Sequence, residues 1–150
     1  MEFKSVDEIL DFAVGKEEQA AQMYMDLAEQ MKNTAMSEVF EQFAHEELGH
    51  KKLLLEIKSG RQLLLPAEYV ANLGIADYMV DVEPGPDMDY RQALLLAMKE
   101  EKAAFRMYTQ LAAATDDPEL RTTLLRLAQE EAKHKLRFEI EYDDNVLTEG

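Results

Sequence analysis

The sequence AHEELGHK at residues 44–51 returns as AQEEAKHK at residues 128–135, 84 positions later. The same offset aligns EEQAAQMY at residues 17–24 with EKAAFRMY at residues 101–108. Over the ungapped alignment of residues 13–51 with 97–135, 12 of 39 positions are identical. Because the repeat keeps glutamate and histidine as well as apolar residues, it indicates that two halves of the chain share one structure.

The apolar residues recur every three or four positions, which is typical of helices with one buried face. Ser5 and Asp117 stand where a helix N-cap is expected. Four helices are predicted, at about 6–32, 35–59, 89–114 and 118–142. Residues 60–88 are too long for an ordinary connection and can cross the whole length of such helices. We therefore predict an all-α fold, a single domain over residues 1–150. It is a four-helix bundle of two helical hairpins joined by one long crossover.

Charge and cysteine content exclude several classes of protein. The 150 residues include 31 Asp and Glu against 16 Lys and Arg, a net charge of −15, and no Cys. The lack of Cys excludes disulfide frameworks, cysteine-ligated zinc, iron–sulfur clusters and thiol nucleophiles. Because no basic stripe exists and no apolar run is long enough to span a bilayer, we expect no nucleic-acid or membrane partner. A soluble cytoplasmic protein is expected, in which carboxylates and imidazoles hold any metal ion.

Each repeat contains a Glu-x-x-His string. Residues three apart on a helix share one face, so the carboxylate and the imidazole can reach one point. A further glutamate in each repeat lies about as far before the hairpin turn as the string lies after it. The six candidate ligands are Glu17, Glu47, His50, Glu101, Glu131 and His134. Four carboxylates balance two divalent cations, and this donor set suits iron, manganese or zinc.

Two tyrosines occupy equivalent positions near these ligands. Tyr24 and Tyr108 follow Glu17 and Glu101 by seven residues, two helical turns, and so point the same way. Each could donate a hydrogen bond to a ligand carboxylate, take part in redox chemistry, or serve as a core aromatic. The third histidine, His45, is predicted to lie on the surface. No catalytic side chain is predicted beyond the metal ligands.

The paired motifs resemble those of the ferritin-like di-iron carboxylate superfamily. Within it, residues 16–24 and 100–108 most resemble the rubrerythrin family, and in particular short members that lack a rubredoxin domain. The resemblance implies two iron ions per chain, held by the six candidate ligands, with Glu47 and Glu131 as candidate bridges. It also implies oxidation of Fe(II), or reduction of O2 or H2O2, by an oxidoreductase of peroxidase or ferroxidase type.

The chain departs from the family pattern at three points. Rubrerythrins proper carry a four-cysteine rubredoxin module, so this chain would need an external electron donor such as a rubredoxin-type protein. An additional family glutamate, three residues after the third-helix ligand, is replaced by Ala104. Both absences argue against efficient peroxide reduction or require an external reductant. The haem-binding methionine of the related bacterioferritins is replaced by Leu48, so no haem is expected. Because related bundles associate, a homodimer is predicted. Residues 63–65, Tyr69 and Tyr78 of the crossover could cover the bundle or form the dimer contact.

Two other functions stay open from the sequence. The same site could serve an iron storage or delivery subunit, which would require a large assembly. The chain could also be a non-redox scaffold that holds zinc, manganese or no metal.

Overall fold

The computed structural model of the chain contains four long helices. They are α1 (Val6–Gln30), α2 (Thr34–Gly60), α3 (Tyr90–Ala114) and α4 (Pro118–Tyr142). The structure describes residues 3–32, 34–60, 63, 65, 70, 78 and 89–144, and no strand occurs among them. Within this part of the chain, no helix has both the length and the apolar character that a membrane span requires. α1 packs against α2 and α3 packs against α4, which gives two helical hairpins, each in its own compact unit.

Side-chain hydrogen bonds define the first hairpin at its start and at its turn. Ser5 Oγ accepts a hydrogen bond from the backbone N–H of Glu8 at 3.1 Å, which caps α1 as predicted. Ser37 Oγ of α2 donates to the carbonyl oxygen of Ala28 of α1 at 2.8 Å. This bond ties the two helices together next to the turn and helps to fix their register.

The turn of the second hairpin is held by side chains from α4. The Asp117 carboxylate accepts a hydrogen bond from the backbone N–H of Leu120 at 3.3 Å and caps α4, as predicted. Arg121 donates from Nε to the carbonyl oxygen of Ala112 at 3.2 Å and from Nη2 to that of Thr115 at 2.6 Å. Carbonyls at the end of α3, which have no partner within their own helix, are thereby satisfied.

The helix ends differ from the predicted ones by no more than two residues. α1 ends at Gln30 instead of 32, because Met31 has extended backbone angles (φ −74°, ψ 128°). α2 is one residue longer at each end than 35–59. α3 begins at Tyr90, because Asp89 is its cap: the Asp89 carboxylate accepts from the Gln92 N–H at 2.7 Å, and Gln92 Oε1 accepts from the Asp89 N–H at 3.0 Å. The fourth helix has the predicted bounds.

The predicted crossover over residues 60–88 falls outside the described residues, apart from Gly60, which ends α2, and four isolated positions. One of these is Tyr78, which is 2% exposed and donates a hydrogen bond from its hydroxyl to Gln110 Oε1 of α3. Tyr78 therefore covers part of the second hairpin. Tyr69, the other tyrosine predicted as a contact, lies outside the described residues.

Candidate metal centre

The first hairpin brings a glutamate of α1 beside a glutamate and a histidine of α2. His50 Nδ1 lies 3.6 Å from Glu17 Oε2 and 4.0 Å from Glu47 Oε1. One ligand atom from each of these three residues lies within 4.8 Å of the other two. Glu17, Glu47 and His50 are only 2%, 1% and 4% exposed. We call these three residues the first trio.

The second hairpin repeats the arrangement with a glutamate of α3 and the Glu-x-x-His string of α4. His134 Nδ1 lies 3.5 Å from Glu101 Oε1. One ligand atom each from Glu101, Glu131 and His134 again lies within 4.8 Å of the others. Their exposed fractions are 1%, 1% and 3%. These residues form the second trio, so the structure brings the six candidate ligands together three by three, within each hairpin.

Small side chains occupy the helical turns that precede the trio glutamates. Ala13 and Ala97 lie four residues before the glutamates of α1 and α3, and Ala44 and Ala128 lie three residues before those of α2 and α4. All four alanines are at most 2% exposed. Because protein interiors are close-packed, a larger residue here would occupy space next to the carboxylates. The repeat therefore keeps small residues one turn before the candidate ligands, as well as the candidate ligands themselves.

Each trio is a costly group of side chains to bury without a cation. Buried carboxylates lose hydration, and two of them at this separation repel each other. A divalent cation offsets both negative charges of a trio, and a neutral imidazole adds a nitrogen donor without adding charge. In both trios the imidazole Nδ1 atom lies within 4.0 Å of a carboxylate oxygen. The donor set therefore fits iron, manganese or zinc in the divalent state.

The two predicted tyrosines are buried in the helices that carry the glutamates. Tyr24 and Tyr108 are both 0% exposed. Tyr24 stacks on Phe40 with ring centroids 6.2 Å apart and meets Phe43 edge-on at 6.3 Å. Both rings are thus core aromatics, and the predicted hydrogen bonds from their hydroxyls to the ligands stay a prediction.

Two polar residues outside the trios behave as surface residues. His45 is exposed on α2, as the sequence predicted. Glu18, which follows a ligand directly, is also exposed, and its Oε1 lies 3.1 Å from Lys51 Nζ. Neither side chain belongs to a trio.

A buried polar pair at the end of the second hairpin did not emerge from the sequence. Glu141 is 7% exposed, and its Oε1 accepts a hydrogen bond from the Tyr90 hydroxyl at 2.8 Å. Burial first, and then this hydrogen bond, raise the pKa of the Tyr90 hydroxyl. Glu141 follows His134 by seven residues, and its counterpart in the repeat is the buried Ile57. The sequence signal that could have revealed this buried carboxylate was an acidic residue at a position where the other repeat has an apolar one.

Comparisons with known proteins bear on the family and the fold of the chain. A family model described as rubrerythrin matches residues 8–142. Among solved structures, the chain matches a crystal structure described as a ferritin-like diiron-carboxylate protein from Thermotoga maritima. The TM-score is 0.77 and the identity 20%, and the match covers 97% of this chain and 98% of the other. No curated protein matches the sequence. The fold is therefore the predicted ferritin-like four-helix bundle.

Proposed function

The chain belongs to the rubrerythrin family, and from this premise we propose that its two trios bind two iron ions and that the protein oxidises Fe(II) with O2 or H2O2. The observation that carries the proposal is the duplicated trio. Two hairpins each bury two carboxylates and an imidazole whose ligand atoms lie within 4.8 Å of one another. A single trio would suit many metal sites, whereas two equivalent trios match the ligand set of a dinuclear carboxylate centre.

The bound iron would supply the redox chemistry, by exchanging electrons between the ferrous and ferric states and the oxidant. Glu17, Glu47 and His50 would hold one ion, and Glu101, Glu131 and His134 the other. Glu47 and Glu131 are the proposed bridges. The role of the chain is to orient these side chains on rigid helices and to keep them out of water.

The burial of the trios supports a shielded reaction. These six residues are at most 4% exposed, so bulk water has little access to the ligands. In such surroundings the electrostatic attraction between the carboxylates and the cations is stronger than in water. We place the protein in the cytoplasm as part of this proposal, and a homodimer stays a prediction that sedimentation analysis can test.

Metal stoichiometry is the first test of the proposal. Protein loaded anaerobically with Fe(II) and then desalted should retain two irons per chain by mass spectrometry. His50→Ala should lower this number, because it removes the only nitrogen donor of the first trio. His45→Ala is the matched control: it deletes an exposed histidine of the same helix and should leave two irons bound.

Oxidation kinetics complete the test. Fe(II) added to the wild-type chain should be oxidised by O2 or H2O2 faster than free Fe(II), and Glu131→Ala should abolish the acceleration while circular dichroism shows an intact helical fold. An active Glu131→Ala variant would contradict the proposal. So would fewer than one iron per wild-type chain, which would favour a scaffold without a metal function.

A further inference from the structure

A groove of about 360 Å³ lies between the outer faces of α3 and α4. Its centre is apolar and open to solvent, since Phe105 is 39% exposed and Leu136 is 56% exposed. Lys102, Arg106, Lys135 and Glu139 surround this centre, and Lys135 forms an ion pair with Glu139. We call the feature formed by these six residues the α3–α4 groove. Its rim keeps a net positive charge, from Lys102 and Arg106, around exposed apolar side chains, in a chain whose net charge is −15.

The groove is not a by-product of the repeated fold. In the first hairpin, the positions equivalent to Lys102, Phe105, Arg106 and Leu136 are Glu18, Ala21, Gln22 and Lys52. The second hairpin has thus gained two cations on α3 and two large apolar side chains at the same places. Because both hairpins have the same helical architecture, their shared packing does not require this difference. A function carried by the second hairpin alone would account for it.

The groove adjoins the metal ligands of its own hairpin. Lys102, Ala132 and Lys135 line it, and each directly follows a member of the second trio in the sequence. Groove and trio therefore lie on the same turns of the same two helices. An α-helix with its side chains is about 10–12 Å across, so a molecule in the groove is separated from the ligands by about one helix width.

The charge of the groove favours an acidic protein as its occupant. Residues 90–142 contain nine Lys and Arg and nine Asp and Glu, whereas residues 6–60 contain five against 12. A second copy bound through the same groove would bring lysines and arginines face to face. Nucleic acid would be repelled by the net charge of −15, and its phosphate backbone would gain nothing from contact with an apolar centre. An acidic protein with an apolar contact spot satisfies both the rim and the centre.

We propose that the α3–α4 groove docks an acidic one-electron carrier protein that reduces the adjacent metal centre. This inference rests on the proposed function, because bound iron that has been oxidised must be reduced again before it can react a second time. Each docked carrier is oxidised by one electron. Two carriers supply the two electrons that, with two protons from solvent, break the O–O bond of H2O2 and give two water molecules.

Binding to the metal-free chain tests the docking surface without any turnover. The probe is a plant-type [2Fe–2S] ferredoxin, a small acidic one-electron carrier, with affinity measured by calorimetry at low and high salt. We expect binding to the wild-type chain that weakens as salt rises. Lys102→Glu, which restores the charge found in the first hairpin, and Leu136→Glu should each weaken binding at least tenfold. Arg126→Glu makes the same charge reversal as Lys102→Glu at an exposed site on α4 that does not line the groove, and it should change affinity less than threefold.

Several results would overturn the docking proposal. One is the absence of ferredoxin binding, and another is equal weakening by Lys102→Glu and Arg126→Glu, which would show attraction without a defined site. A dimer in sedimentation that Leu136→Glu dissociates, without ferredoxin binding, would identify the groove as a contact between copies of this chain. Oxidation of added Fe(II) by O2 or H2O2, which needs no carrier, is measured separately on the same variants. If the chain does not accelerate Fe(II) oxidation, the proposed function is wrong. If only ferredoxin binding is absent, the docking proposal alone is wrong.

Discussion

Replacing Glu131 by glutamine should stabilise the metal-free chain and weaken its binding of metal. In the second trio, ligand oxygens of Glu101 and Glu131 lie within 4.8 Å of each other. Two negative charges at that distance repel by about 3.5 kcal/mol at an effective dielectric constant of about 20. Glutamine keeps the shape of the side chain and removes one charge. Because His134 Nδ1, 3.5 Å from Glu101, offsets part of the repulsion, we expect the free energy of unfolding to rise by about 1–3 kcal/mol.

With metal bound, the wild-type chain should become more stable than Glu131→Gln, the reverse of the order without metal. The assay is urea unfolding followed by circular dichroism, first with a chelator and then with Mn(II) under identical conditions. A ligand present at about 100 times its dissociation constant stabilises the folded state by about 2.7 kcal/mol. Wild-type protein should gain such an increment, whereas Glu131→Gln should gain much less, because a neutral amide is a poor ligand for a hard cation.

Glu130→Gln is the matched control, since it makes the same chemical change at the neighbouring residue, outside the trio. Its effect on either measurement should stay within about 0.5 kcal/mol. A loss of stability in metal-free Glu131→Gln would refute the argument from charge repulsion. An equal gain from Mn(II) in the wild type and in Glu131→Gln would show that Glu131 is not a ligand.

Three further predictions concern stability. Asp117→Ala removes the N-cap of α4 and should lower the free energy of unfolding by about 1 kcal/mol in urea titrations; an unchanged value would mean that water replaces the cap at no cost. Phe40→Ala empties a fully buried site beside Tyr24 and should cost about 3–5 kcal/mol in the same assay, whereas a loss below about 1 kcal/mol would show that the core collapses around it. The pKa of the Tyr90 hydroxyl is raised in the folded chain. The contribution of Tyr90 to the free energy of unfolding is therefore fully present below the unfolded pKa of 10.0 and is lost as the pH rises further. Wild type should then lose up to about 1.4 kcal/mol per pH unit more than Tyr90→Phe, less where solvent screens the partly exposed ring; parallel pH profiles would contradict this.

The sequence predicted the helices and the grouping of the candidate ligands into trios, because both depend on local spacing. Glu47 and His50 share a helix face whatever surrounds them, and the offset of 84 residues locates their counterparts. The cap at Ser5 was readable for the same reason, since it bonds to Glu8, only three residues away. Helix ends were less accurate, because the extended backbone at Met31 depends on the turn geometry and not on the apolar pattern.

Features that depend on contacts between distant residues could not be predicted. Glu141 and Tyr90 are 51 residues apart, and only the antiparallel packing of α3 and α4 makes them neighbours. The α3–α4 groove likewise combines two helices, and its lysines resemble any solvated charges in the sequence alone. Periodicity identifies which face of a helix is buried, but it does not show which exposed faces meet at a groove.

Each trio is contained within one hairpin, and this has a consequence for biosynthesis. The first trio ends at His50, and its counterpart ends at His134. At a translation rate of about 5–20 residues per second, the ribosome needs about 4–17 s to add the intervening residues. Hairpins form by local contacts and much faster than this. A nascent chain can therefore present one assembled trio before the other has been synthesised, so under the proposed function the order of metal loading would follow the order of translation.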